Sequence, residues 1–170
     1  FVIIELNHQR MVECKTANFP VIFGDMSQAA VLEASRIQRA RLLLITSPSV
    51  VTSQSIVRQA HLLQPKLPII ARADGAEQAR SLYQSGVSMA VLPEMEAGLE
   101  IARQALLCLE VPMAAIQEYT DSVRQQLYAP LSQATLDQQL MASLVNIKNA
   151  LEISWVSIVA TSPLVGKSIR

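Results

Sequence analysis

The sequence predicts an α/β fold, a doubly wound parallel sheet, and three observations carry that prediction. Short continuous apolar runs begin at residues 1, 21, 42, 68 and 89, reading "FVII", "VIF", "LLLIT", "PIIAR" and "MAVL". Each is aliphatic, as are strands buried on both faces of a parallel sheet. Helix-like stretches fill the intervals, at His8 to Lys15, Gln28 to Ser35, Val50 to Leu63 and Ala76 to Gln84. The order is therefore βαβαβαβαβ, and right-handed crossovers make it a sheet with helices on both sides and ligands at the carboxyl ends of its strands.

Composition agrees with that class and removes others. Hydrophobic residues make up 51% and charged residues 16% of the chain, a globular balance, and with aromatics at 4% the core must be aliphatic. The 14 basic and 14 acidic residues cancel, and neither sign is concentrated anywhere. No electrostatic footprint for nucleic acid or an anionic lipid surface exists. The longest uncharged run, Leu42 to Val57, is broken by Pro48 and several hydroxyls, so no membrane insertion of this segment is expected. Cys14 and Cys108 stand far apart without metal spacing, and the expectation is two buried, reduced thiols. The first residue is Phe within a strand pattern, so an N-terminus other than the natural start is expected.

The stretch from Glu94 to Leu109 differs from the earlier helices. Its polar residues are confined to a stripe of Glu96, Glu100, Arg103 and Gln104, with Leu99, Ile101, Leu106 and Leu109 among the apolar remainder. A helix apolar around most of its circumference needs cover on two sides. Its own sheet supplies one, and a second subunit is expected on the other, the alternative being the next helix of the same chain. That helix is patterned from Pro112 by Ile116, Tyr119, Val123 and Leu127 and ends near Pro130; another carries Leu136, Leu140, Leu144, Ile147 and Leu151. Both are expected to leave the sheet. Trp155 to Ala160 reads as a strand, and Ser162 with Pro163 as a capped helix start. "TSPLVGKS" has Thr161 where a phosphate-binding loop needs glycine. The expected division is residues 1–110 as the sheet domain, 111–150 as crossover and linker helices, and 151–170 as the start of a second α+β domain.

The strand tips hold the candidate site. Glu5 ends the first run, and an acid there accepts hydrogen bonds from both ribose hydroxyls while repelling a 2′-phosphate; a solvated strand end is the plainer reading. Asp25, in "FGDMS", either caps the next helix or accepts from an adenine amino group, with the Met26 amide facing the ring. Thr46 and Ser47 place hydroxyls and free amides at the tip of the middle strand. Arg72 either neutralises phosphate or pairs with Asp74 or Glu77. Glu94 suits a helix N-terminus. His8 and His61 have no base, nucleophile or carboxylate at recognisable spacing, so no catalytic residue and no metal site are expected.

Taken together, "VIIELN", "FPVIFGDMSQAAVLEASRIQRARLLLIT", "LPIIARADGAEQARSLYQSGVSMAVLPE" and "EAGLEIARQALLCL" resemble the regulator-of-conductance-of-potassium domain, the Trk-type (TrkA-N) nucleotide-binding domain, from Phe1 to about Leu109. "VLPEMEAGLEIARQALLCLEVP" and "YTDSVRQQLYAPL" look most like the cytosolic tails of Kef-type monovalent cation:proton antiporters, and "VSIVATSPLVGKSIR" is similar to the opening of the companion C-terminal regulatory domain. The resemblance implies a Rossmann-like sheet of six strands and an adenine nucleotide ligand, whether AMP, ATP or NAD(H). It implies a homodimer through Glu94 to Leu109 at the cytoplasmic face of the membrane. The further partner is a transmembrane cation transport domain on the same or another chain. Carried over by position, Glu5 matches the ribose acid, Asp25 and Met26 the adenine-side turn, Thr46 and Ser47 the tip beside ribose and phosphates, and Arg72 an arginine near the phosphates. Glu94 matches an acid near the subunit interface. Alternatives are a free-standing Trk-type channel subunit, an NAD-dependent oxidoreductase fragment, and a dimerisation domain without ligand.

One departure matters. The family's first strand and GxGxxG turn are absent, and that strand belongs at the centre of the sheet. The expectation is a sheet split at that point, with roughly 30 to 40 further residues upstream in the parent protein, the length of a βα unit, the alternative being a degenerate domain.

Overall fold

The computed structural model describes residues 1–132; the expectations for Leu136 to Leu151, Trp155 to Ala160 and Ser162 onward lie outside them. The elements in order are β1 (Ile3–Glu5), α1 (His8–Thr16), β2 (Val21–Phe23), α2 (Ala29–Ala34), a 3₁₀ turn (Ile37–Arg39), β3 (Leu43–Ile45), α3 (Val50–Leu63), β4 (Ile69–Arg72), α4 (Ala76–Gln84), β5 (Met89–Val91), α5 (Pro93–Cys108) and α6 (Met113–Tyr128). Every strand and helix expected up to Tyr128 is present. Boundaries shift by one or two residues because helix ends fray and strands stop where pairing stops.

Local chemistry sets the ends. The Asn7 side chain accepts from the Arg10 N–H to cap α1, and Ser49 accepts from the Thr52 N–H to cap α3. Helices α1, α4 and α5 close with paired 6→1 and 5→2 bonds around a left-handed residue: Asn18, Gly86 and Glu110 respectively. Gly86, with φ of 98°, fits this without strain, and a Cβ there would also meet the His61 ring at 3.0 Å. Glu110 adopts φ of 59° despite its side chain.

All pairing among the described residues is parallel. β1 pairs with β2, setting Glu5 opposite Phe23; β3 pairs with β4 and β4 with β5, setting Ile45 opposite Ala71 and Arg72 opposite Val91. The described strands form two sheets, β1-β2 and β3-β4-β5, so the expected split between β1 and β3 is what the fold shows.

The core lies on one face of the three-stranded sheet. Ile45, Ile69, Ala71 and Ala90 point to it, and α2, α3 and α4 cover them with Leu32, Ile56, Val57, Ala60, Ala79 and Leu82. The opposite face departs from expectation. Leu44 is 59% and Met89 43% exposed, so these strands are not buried on both sides. That face is open because α2, α3 and α4 pack their buried residues against the other one.

Two further expectations are corrected. α6 does not leave the sheet. It packs along α5 with Ile116 buried, and Tyr128 and Leu131 join the core cluster, so the compact unit runs from Phe1 to Gln133 and takes α6 in. The apolar face of α6 finds part of its cover within the chain, at Ile116, while Tyr119 and Leu127 stay exposed. The thiols are not both buried either: Cys14 is half-buried, and Cys108, the last residue of α5, is exposed because that end of the helix lies uncovered.

Candidate functional site at the strand tips

β1 ends at Glu5, whose carboxylate is already half engaged. The Asn7 N–H donates to Oε1 at 2.7 Å, a bond that turns the chain from β1 into α1 and leaves Oε2 available. On the neighbouring strand, Gly24 donates its N–H to the Glu5 carbonyl at 3.1 Å. A Cβ at Gly24 would lie 2.8 Å from a methyl of Val31, so only glycine lets α2 come this close to the turn.

Asp25 follows. Its Oδ1 accepts from the Ser27 N–H at 2.8 Å, and this bond, with a second from the Ser27 side chain, holds the carboxyl below the usual range. Asp25 is thus not the side-chain cap of α2, which starts at Gln28 without one. It stiffens the turn and stays ionised. Met26 is half-buried and packs against the core, which fixes its backbone beside Asp25.

The three-stranded sheet presents the other half. Thr46 is exposed directly after β3, and Ser47 accepts from the Ser49 N–H at 3.3 Å at the entry to α3. The β3-β4 register sets Ile45 against Ala71, so Thr46 and Arg72 come next on adjacent strands. Adjacent strands lie about 4.8 Å apart. Arg72 takes the pairing with Asp74 that the sequence left open, at 2.9 Å, with both side chains substantially exposed. An exposed pair of this kind contributes little to stability, so Arg72 can exchange Asp74 for a phosphate oxygen at small cost. Glu94 is exposed in the first turn of α5, where it complements the helix dipole.

The site residues therefore fall into two groups, Glu5, Asp25 and Met26 on one sheet and Thr46, Ser47 and Arg72 on the other, with Glu94 beyond β5. All follow the carboxyl ends of strands. Among the described residues no group of three or more His, Cys, Asp or Glu gathers in a form that would hold a metal ion.

The structure adds residues that sequence reasoning missed. The His8 ring stands edge-on to Phe23, with centroids 5.9 Å apart, at the tip of the β1-β2 pair. Arg124 of α6 forks onto Glu96 of α5 with three contacts of 3.0 to 3.2 Å, and the Leu92 N–H donates to the Tyr128 hydroxyl at 3.1 Å. Residues 28 and 36 positions apart share no periodicity, so no sequence signal marked these partners. The remaining stripe of α5 is satisfied locally: Arg103 and Gln104 bond Glu100 and hold its carboxyl down to about 2.

The α5-α6 pair carries an open apolar groove of about 470 Å³, lined by Ala102, Ala105, Leu106, Val111, Ile116 and Tyr119. Beside it Ile101 is 70% and Leu109 73% exposed. Intramolecular cover from α6 is thus real but incomplete.

A doubly wound parallel α/β fold with polar side chains at its strand tips is the Rossmann-like class of ligand-binding domain. Within that class, the chain belongs to the TrkA-N domain family, whose model matches residues 1–93. It is 25% identical over all 170 residues to a putative K(+) efflux antiporter, KefB, of Alkalimonas amylolytica, and it spans a quarter of that protein's length. The crystal structure of the TrkA-N domain of the inner membrane protein YbaL from Escherichia coli is 26% identical with a TM-score of 0.54, covering 64% of this chain and 77% of that one. The Kef C-terminal domain of Shewanella denitrificans in its AMP-bound form is 22% identical with a TM-score of 0.60, covering 76% of this chain and 93% of that one, a likeness of fold. No helix among the described residues is long and apolar enough to cross a membrane.

Proposed function

We propose that this chain is a nucleotide-sensing regulatory module of potassium or other monovalent cation transport, the cytosolic part of a Kef-type cation:proton antiporter, and not an enzyme. The observation that carries the reading is the division of labour at the strand tips. Glu5 offers a free carboxylate oxygen for a ribose, the Asp25 turn offers an ionised acceptor with backbone amides beside it, and Thr46 with Arg72 supplies hydroxyl and cation for phosphate. The family and the antiporter relative support the transport setting. The ligand is an adenine nucleotide: AMP, ATP or NAD(H). A central strand bearing the family's glycine turn fits between β1 and β3, where it would pair both open edges and set its amides against the phosphates. The module works as a homodimer through α5, with the exposed Ile101 and Leu109 as contacts, and acts on a transmembrane transport domain from the cytoplasmic face. The test is calorimetric titration of AMP, ATP, NAD and NADH into the full-length protein. Saturable binding of one of them, weakened about 10- to 150-fold in Glu5→Ala by loss of charge-assisted hydrogen bonds, is the expected result. Absence of binding to a folded protein, or unchanged affinity in the variant, would overturn the reading.

A further inference from the structure

Helix α5 has an incomplete start of its own. Its N-cap, Leu92, has no side chain able to accept a hydrogen bond, and among the described residues the Leu92 N–H finds its acceptor in Tyr128, from the last turn of α6. In an ordinary capping box that N–H is served by a Glu or Gln three residues along the same helix. Here position three is Met95, and a residue 36 positions downstream takes over the task. On the same turn of α5, the Arg124 guanidinium grips Glu96 by three contacts while also holding Asp121 at 2.9 Å. The Tyr128 ring packs against the core beside the buried Leu131. The Tyr128 hydroxyl on the Leu92 amide and the Arg124–Glu96 pair thus bolt the end of α6 to the first turn of α5.

That bolt stands at the ligand edge. Leu92 directly follows Val91, which lies opposite Arg72 in the β4-β5 register, so the latched amide is about one strand spacing from the arginine proposed to meet phosphate. A ligand that draws Arg72 away from Asp74 alters the charge and packing at the tip of β5 and the dipole end of α5. Whatever shifts that tip changes the geometry of the Leu92 N–H, and so the seating of α6.

We infer that Leu92, Glu96, Arg124 and Tyr128 form a latch through which occupancy of the strand-tip site and the seating of α6 are coupled. The inference rests on the nucleotide reading of that site. Coupling of this kind is reciprocal: a nucleotide that alters how firmly α6 is held has its own affinity altered, by the same factor, when the latch is broken.

The experiment is hydrogen exchange by mass spectrometry on the full chain, with and without each of AMP, ATP, NAD and NADH, in wild type, Tyr128→Phe and Glu96→Gln. Phenylalanine keeps the ring that packs on the core and removes only the hydroxyl. Loss of one such hydrogen bond speeds exchange in the first turn of α5 and the last turn of α6 by about 2- to 10-fold without ligand. In wild type, saturating nucleotide changes protection in α6, and in both variants that change shrinks while the dissociation constant shifts by the matching factor. Nucleotide binding that leaves α6 protection unaltered, or Tyr128→Phe retaining the full ligand-dependent change, overturns the latch and leaves the nucleotide reading standing. No binding of any nucleotide to wild type overturns both, and the titration separates that result from the first.

Discussion

Replacing Ile101 with Asp isolates the proposed dimer from the fold. Ile101 is 70% exposed on α5 and outside the residues that line the α5-α6 groove, so its removal leaves the packing of one chain intact. Leu106 is a poorer probe: it lines the groove, so a charge there would also disturb the packing of α6 on α5 within one chain. Full burial of an isoleucine side chain contributes about 1.5 to 3 kcal/mol, and the 70% still available for burial at Ile101 corresponds to about 1 to 2 kcal/mol. A two-fold interface contains the residue twice, giving about 2 to 4 kcal/mol, or a dimer weakened roughly 30- to 700-fold. Desolvating the new carboxylate adds to this. Sedimentation velocity over a concentration series reads the dissociation constant, and circular dichroism checks that the thermal midpoint is unchanged. An unaltered dissociation constant in Ile101→Asp, or a wild-type protein that stays monomeric at its highest soluble concentration, would refute the assignment of α5 as the interface.

Two other expectations concern stability. Glu110 closes α5 in the left-handed region, which costs an L-residue about 1 to 2 kcal/mol; Glu110→Gly removes that strain, less the added freedom of glycine in the unfolded chain, for a net gain of about 0.5 to 1 kcal/mol and about 2 to 3 °C in thermal midpoint. A lowered midpoint in calorimetry would show that the Glu110 side chain stabilises this end in some other way. The Arg124 guanidinium holds Glu96 below its ordinary value of 4.5, so the stabilisation it gives is in place above about pH 4.5 and is lost as pH falls through the lower folded value. The gap in thermal midpoint between wild type and Glu96→Gln should therefore close on acidification from pH 6 toward pH 3, and a gap that stays constant would remove ionised Glu96 from the latch.

How much was legible beforehand follows from the range of the forces involved. Apolar runs and their spacing determined five strands, the helices between them and the parallel class, because periodicity and crossover handedness act locally along the chain. Strand ends located Glu5, Asp25, Thr46, Ser47 and Arg72, since a parallel sheet directs its carboxyl ends to one edge and polar residues interrupt apolar runs there. The split of the strands into two sheets was legible as well.

Tertiary structure alone decided the rest. Whether Arg72 pairs with Asp74 or Glu77, and whether Asp25 caps a helix or stiffens a turn, depends on orientations that spacing leaves open. The return of α6 onto α5 depends on complementary surfaces, with Ile116 seated beside Leu106 and Arg124 meeting Glu96 across 28 residues. An amphipathic pattern states that a helix must be covered. Which surface covers it is fixed only when the chain has closed on itself, because burial and charge pairing are properties of the assembled surfaces and leave no periodic mark on either partner.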